Sequence, residues 1–126
     1  MAVRGLRGAV QLREDSEDAV VGGTKRLLKD MLDANGVRHD DLVSVLFTAT
    51  PDLRSAFPAA AAREAGMAGT PLMCAQELDV PGALPRVVRI LAHAETELPK
   101  RDIHHVYLDG AAVLRPDQAA RPGGSE

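Results

Sequence analysis

At 126 residues with a formal net charge of −3, the chain is one domain by length, able to bury about two thirds of its unfolded surface, and too little basic for an electrostatic grip on nucleic acid. Phe47, Phe57 and Tyr107 are the only aromatic residues, so the core must be aliphatic. One cysteine, Cys74, excludes an intrachain disulfide and any metal cluster built on several cysteines.

The opening, "MAVRGLRGAVQLRED", sets arginines where a secretion signal would be apolar. No stretch approaches the roughly 18 apolar residues of a membrane span. A cytoplasmic protein without a membrane partner is the expectation. "AVRGLRGAVQL" reads as a first strand ending near Arg13, with Val3, Gly5, Arg7 and Ala9 on one face. Asp15 or Ser16 then caps a helix whose Val20, Leu27, Leu28, Met31 and Leu32 form an apolar stripe, with Gly36 at its stop. "LVSVLFTAT" is a second strand, expected to be buried on both faces and ended by Pro51.

"FPAAAAREAG" reads as a short helix with Pro58 in its first turn and Gly66 after its end. "TPLMCAQEL" is a third strand. Leu84, Val87, Val88, Leu91 and Ala94 recur at helical spacing, which predicts another helix carrying Arg86 and Arg89 one turn apart. "IHHVYLDGAAVL" predicts a hairpin turning at Asp109–Gly110. Residues 1–117 form the domain and 118–126, rich in proline and glycine, a flexible tail. The order implies a sheet covered by helices on one face and bare on the other, for which self-association is the usual remedy.

Taken singly, the polar candidates have ordinary explanations. Arg7 suits an exposed edge strand, although Gly5 and Gly8 would let a ligand approach beside it. Cys74 reads as an inert buried thiol, as a weak donor lining a pocket, or as a nucleophile whose nearest candidate bases, His104 and His105, lie far along the chain. Glu77 is three residues further on, so the two share a site only if the strand bends or ends between them. Arg89 suits a snorkelling surface position, Tyr107 core packing with a bonded hydroxyl, and Arg63 an exposed helix that could reach another chain. His104 and His105 would face opposite sides of a strand, which speaks against a metal there. Together these residues would bind a small dianion well and perform acid–base chemistry poorly.

"RGLRGA" at 4–9, "TATPDLRSAFPA" at 48–59, "CAQELDVPGAL" at 74–84, "RVVRI" at 86–90 and "HVYLDGAAVLRPD" at 105–117 resemble, in register from about Val3 to Asp117, the monofunctional Bacillus-type (AroH class) chorismate mutases. The resemblance implies an α+β fold, a mixed β-sheet with helices packed on one side, assembled as a trimeric pseudo-α/β barrel with active sites between subunits. It implies an isomerase that converts chorismate to prephenate in phenylalanine and tyrosine biosynthesis, with no cofactor and no metal. By position, Arg7 matches the arginine gripping the enolpyruvyl carboxylate, with Tyr107 beside it. Arg89 matches the arginine aimed at the ether oxygen, and Glu77 and Cys74 match the pair at the ring hydroxyl. Phe57, Ala59 and Arg63 match residues supplied by the adjacent subunit, and Leu114 and Arg115 close the mouth. Ala60 stands where family members often carry lysine, so one peripheral positive charge is missing.

That chemistry would be a concerted [3,3] (Claisen) shift in which no proton moves, so the set needs no general base. A non-catalytic trimeric binding protein of the same fold is the alternative. A hydrolase or deaminase using Cys74 or Glu77 is a further one, which would show a catalytic titration in its pH–rate profile.

Overall fold

The computed structural model describes residues 1–114. Arg115 and the expected tail over 118–126 lie outside the described residues. In β1 (Ala2–Gln11), Leu6, Gly8 and Val10 are buried while Val3, Gly5 and Arg7 on the alternate face are exposed. The chain then enters α1 (Glu17–Asn35), where Ser16 Oγ accepts the Ala19 N–H at 3.1 Å and Glu17 and Asp18 suit the positive end of the helix dipole. Gly36 ends α1 with φ of 62°, a left-handed value that favours glycine. The stripe of Val20, Leu27, Leu28, Met31 and Leu32 packs onto the sheet. Its approach is close: a Cβ on Gly8 would lie 3.0 Å from Leu27 Cδ1 and nearer still to Met31 Sδ.

The remaining elements are β2 (Leu42–Ala49), the short α2 (Ala59–Glu64), β3 (Leu72–Gln76), β4 (Val87–Thr96) and β5 (Val106–Leu108), with a final 3-10 segment over Asp109–Leu114. The sheet order is β3-β2-β4-β1-β5. β4 runs antiparallel to both β1 and β2, while β5 joins β1 and β3 joins β2 in parallel. One core fills the space between this sheet and the helices, built from Leu6, Val10, Val45, Phe47, Val88, Ile90, Ala92 and Ala94 against the α1 stripe and Ala59 and Ala62 of α2. The other sheet face carries no α-helix among the described residues; only the 3-10 segment covers one end of it, where Ala111 buries Ala9 and Val87. Val3, Val43, Met73 and Leu91 are large apolar side chains left exposed.

Three sequence expectations are corrected. The helix expected over Leu84 to Ala94 is strand β4, at the centre of the sheet. Leu84, Val87, Val88, Leu91 and Ala94 satisfy a helical period, but Val88, Ile90, Ala92 and Ala94 also satisfy a period of two, and those four are the residues buried against the helices. Pairing on both sides with β1 and β2 decides between the two. Arg86 and Arg89 are therefore not neighbours on a helix. Arg86 precedes the strand with φ of 55° and is held by the Asp52 carboxylate at its N–H (2.9 Å) and by Leu12 O at its Nε (2.9 Å).

The hairpin at Asp109–Gly110 does not form either. Val106–Leu108 gives its ladder to β1, and the next residues coil so that Ala111 is fully buried with Ala9 and Val87. Asp109 does take the positive φ that such a turn needs, at 56°, with its carboxylate paired to Arg26 at 2.5 Å. β2 is the third correction. Val45 and Phe47 are buried beneath the helices, whereas Ser44, Leu46 and Thr48 on the alternate face stay partly exposed.

Candidate active site

The bare face of the sheet collects the polar candidates by register. Arg89, near the start of β4, lies opposite Thr48 of β2 and Ala9 of β1. Ala9 in turn pairs with Tyr107 of β5, and Arg7 sits two residues before it on the same face. Arg7, Thr48, Arg89 and Tyr107, with Leu46, Glu77 and Leu114, line a cavity of about 440 Å³. The start of β4 is fixed by the hydrogen bonds of Arg86 to Asp52 and Leu12 and by Thr50 Oγ1, which accepts the Val87 N–H at 3.0 Å, so the backbone just before Arg89 is held from the segments that follow β1 and β2.

Glu77, three residues after Cys74, falls on this face by strand alternation, with Ala75 opposite Thr48. The Glu77 N–H still donates to Ala49 O at 2.9 Å, extending the ladder by one residue. Its carboxylate Oε2 is 3.3 Å from Arg89 Nε and also accepts the Thr48 hydroxyl. The guanidinium thus meets the carboxylate through Nε alone. Sequence reasoning missed Thr48: a threonine in a strand is ordinary, and only the pairing of β2 with β4 places it here.

Arg7 and Tyr107 belong to the same cavity. The Arg7 N–H donates to His105 Nδ1 at 3.0 Å, which ties β1 to the lead-in of β5. Behind that lead-in, Asn35 of α1 accepts the His104 N–H at 2.7 Å and donates Nδ2 to His104 O at 2.9 Å and Met31 O at 2.8 Å. The helix end therefore sets the height of the strand that carries Tyr107.

Cys74 is not in this cavity. It pairs with Phe47 and packs, partly buried, against the main core on the helix side of the sheet. There it lines a second cleft of about 470 Å³ together with Leu53, Ala56, Phe57 and Pro58. Phe57, 72% exposed, is the outlier among the aromatic residues. Ala59 is buried in its own chain's core at the start of α2, and Arg63 is exposed on that helix. Within one chain, Arg7, Glu77, Arg89, Tyr107 and Leu114 come together, while Cys74, Phe57, Ala59 and Arg63 lie elsewhere.

The loop before Phe57 is anchored by Asp15. Both carboxylate oxygens accept the Arg54 N–H at 3.1 Å, and Oδ1 accepts the Ser55 N–H at 3.1 Å. Burial pushes the Asp15 carboxyl up, but the hydrogen bonds from Arg54 and Ser55 and the Arg54 charge together outweigh it, so it titrates below its ordinary value. Among the described residues no group of three His, Cys, Asp or Glu side chains could hold a metal ion. No helix among them is long and apolar enough to cross a membrane.

Residues 3–118 match a family model described as chorismate mutase type I. The chain is 51% identical over 116 residues to chorismate mutase AroH of Thermus thermophilus, covering 91% of this chain and 95% of that protein. It is 42% identical over 118 residues to chorismate mutase AroH of Bacillus subtilis (strain 168), covering 93% of each. A solved chorismate mutase from Clostridium thermocellum superposes with a TM-score of 0.85 at 47% identity, covering 86% of this chain and 97% of that one.

Proposed function

We infer, from the premise that this chain belongs to the chorismate mutase type I family, how its bare sheet face does the family's work. The activity is an isomerase's, the conversion of chorismate to prephenate. The ether C–O bond breaks as a C–C bond forms, and no proton is transferred. The protein has two tasks: to hold a flexible dianion in its compact reactive shape, and to stabilise the charge that separates as the ether bond stretches.

Arg89 answers the growing negative charge on the ether oxygen. Because Glu77 meets only its Nε, the two terminal nitrogens are left to point at substrate. The Glu77 carboxylate faces the ring, which turns more positive, and receives the ring hydroxyl. Arg7 and Tyr107, across Ala9 from Arg89, grip the enolpyruvyl carboxylate, and Leu114 bounds the mouth. The observation that carries this reading is the Arg89–Glu77 pair lying in one cavity with Arg7 and Tyr107.

An acceleration of about 10⁶-fold requires roughly 8 kcal/mol of barrier reduction. One preorganised donor at a developing oxyanion supplies about 2.7–4 kcal/mol. Arg89 then accounts for a third to a half, and positioning for much of the remainder.

The Phe57–Cys74 cleft is the second half of the site, contributed by another copy. Three chains pack so that the edge of one that carries the Phe57–Cys74 cleft, with Ala59 and Arg63 on the adjoining helix, lies against the bare face of the next at its Arg89 cavity. What supports this is the exposed Phe57 and the exposed Val3, Met73 and Leu91 on a sheet without helix cover. With Ala60 at the mouth, substrate capture relies on the arginines that remain.

The test is an absorbance assay following chorismate disappearance, with prephenate identified as product and the assembly sized by sedimentation. Arg89→Ala and Arg63→Ala chains, each inactive alone, should recover turnover when mixed and reassociated. Persistent inactivity of the mixture, with both variants correctly assembled, would mean that the site is not shared between copies.

A further inference from the structure

Glu77 and Arg89 are oppositely charged groups in contact at the edge of a solvent-open cavity. A guanidinium beside a carboxylate prefers the bidentate fork, two parallel N–H bonds to two oxygens. That arrangement would occupy a terminal nitrogen of Arg89 and both oxygens of Glu77, leaving each less able to act on a ligand. The observed contact is not the fork. Arg89 approaches with Nε, at 3.3 Å, and only Oε2 is involved. The Thr48 hydroxyl donates to the same Oε2. Neither donor uses Oε1.

We propose that Thr48 is a positioning residue for the rearrangement: its hydroxyl anchors Oε2 of Glu77, which keeps Oε1 for substrate and keeps Arg89 from closing onto the carboxylate. The inference rests on the reading of Arg89 and Glu77 given above and adds to it the device that keeps their contact out of the bidentate fork. The geometry behind it is rigid. Thr48 and Arg89 are directly opposite in the β2–β4 register, so their Cα separation is set by the ladder. Glu77, one residue beyond β3, is held by its own N–H to Ala49, the residue after Thr48. A hydroxyl here is a short arm with one bonded donor, able to hold a carboxylate oxygen without adding charge. The branched Cβ of threonine limits χ1, which fixes where that donor points. Valine in its place keeps the branching and the strand preference and removes only the donor.

The experiment measures kcat and KM for chorismate in Thr48→Val, Thr48→Ser, Glu77→Gln and Thr48→Val/Glu77→Gln, with melting temperature and assembly as controls. Thr48→Val should lower kcat about tenfold, the lower end for a hydrogen bond to a charged group, while KM changes less than about threefold because the carboxylate grips are untouched. Thr48→Ser should restore kcat to within about threefold of wild type. In the Glu77→Gln background, the Thr48→Val change should cost less than about twofold, since the two act as one unit. Should Thr48→Val misfold, Thr48→Ala replaces it in the same cycle. Wild-type kcat in a folded Thr48→Val, or an equal loss with and without Glu77, overturns the proposal while leaving the roles of Arg89 and Glu77 standing. Wild-type kcat in Glu77→Gln removes those roles, and the proposal with them.

Discussion

Replacing Arg89 by lysine separates catalysis from folding. In the structure the guanidinium touches Glu77 through one nitrogen at 3.3 Å, and the two side chains are 47% and 24% exposed. A pair that open contributes about 0–1 kcal/mol to stability once solvent screening is counted, and lysine retains part of it. The variant's melting temperature should therefore stay within roughly 3 °C of wild type. In the role proposed for Arg89, catalysis depends on a different feature, a planar fork that meets Glu77 with one nitrogen and the ether oxygen with the others. A lysine ammonium drawn to Glu77 cannot also sit against the ether oxygen. The loss is that of an oxyanion donor, about 2.7–4 kcal/mol, so kcat should fall about 10²–10³-fold. Steady-state chorismate disappearance reads the rate and a thermal melt reads the fold. An Arg89→Lys chain that kept kcat within about threefold of wild type would refute the role assigned to Arg89. A melt lowered by more than about 10 °C would show the pair to be structural instead.

Asn35→Ala removes three hydrogen bonds at a side chain only 6% exposed and leaves His104 N–H and O without their partner. It should cost roughly 2–4 kcal/mol in urea unfolding, and a loss below about 1 kcal/mol would mean that water replaces it. Asp15 titrates below its ordinary value when folded, so its contribution is present above the unfolded carboxylate pKa of 3.8 and is lost as pH falls through the lower folded value. The stability difference between wild type and Asp15→Asn should accordingly be flat near neutrality and shrink below about pH 4; a difference that grows on acidification contradicts the assignment. Cys74→Ala deletes a thiol packed on the face opposite Glu77 and should lower turnover only modestly. Complete inactivation in a correctly assembled protein would point to covalent chemistry and away from a pericyclic step.

The parts of the fold legible in the chain are those in which one local pattern admits one structure. α1 is the clearest: Ser16 caps it, its stripe runs at helical spacing, and Gly36 stops it in the left-handed conformation. β1, β2 and β3 also lie close to where their runs place them. Residues 84–96 show the opposite case. "LPRVVRILAHAET" satisfies periods of 3.6 and of 2, so no local rule chooses between them. The choice is made by β1 and β2, between which β4 pairs on both of its edges. Asp109–Gly110 is similar: Asp109 takes a positive φ but Gly110 does not, Val106–Leu108 pairs with β1 instead of a hairpin partner, and the next turn coils to bury Ala111.

The candidate site divides along the same line. Arg7, Glu77, Arg89 and Tyr107 could be picked out from residue order, because the resemblance runs in register along the chain. That Glu77 and Cys74 face opposite sides was already given by their three-residue spacing; that Thr48 joins Glu77 and Arg89, and that Cys74 packs into the helix-side core, followed from which strands adjoin. Residue types and their spacing along the chain determine which chemistry is on hand, since they are local properties. Which groups meet across strands is a matter of register, a long-range property settled only when the ladders close and the helices cover one face.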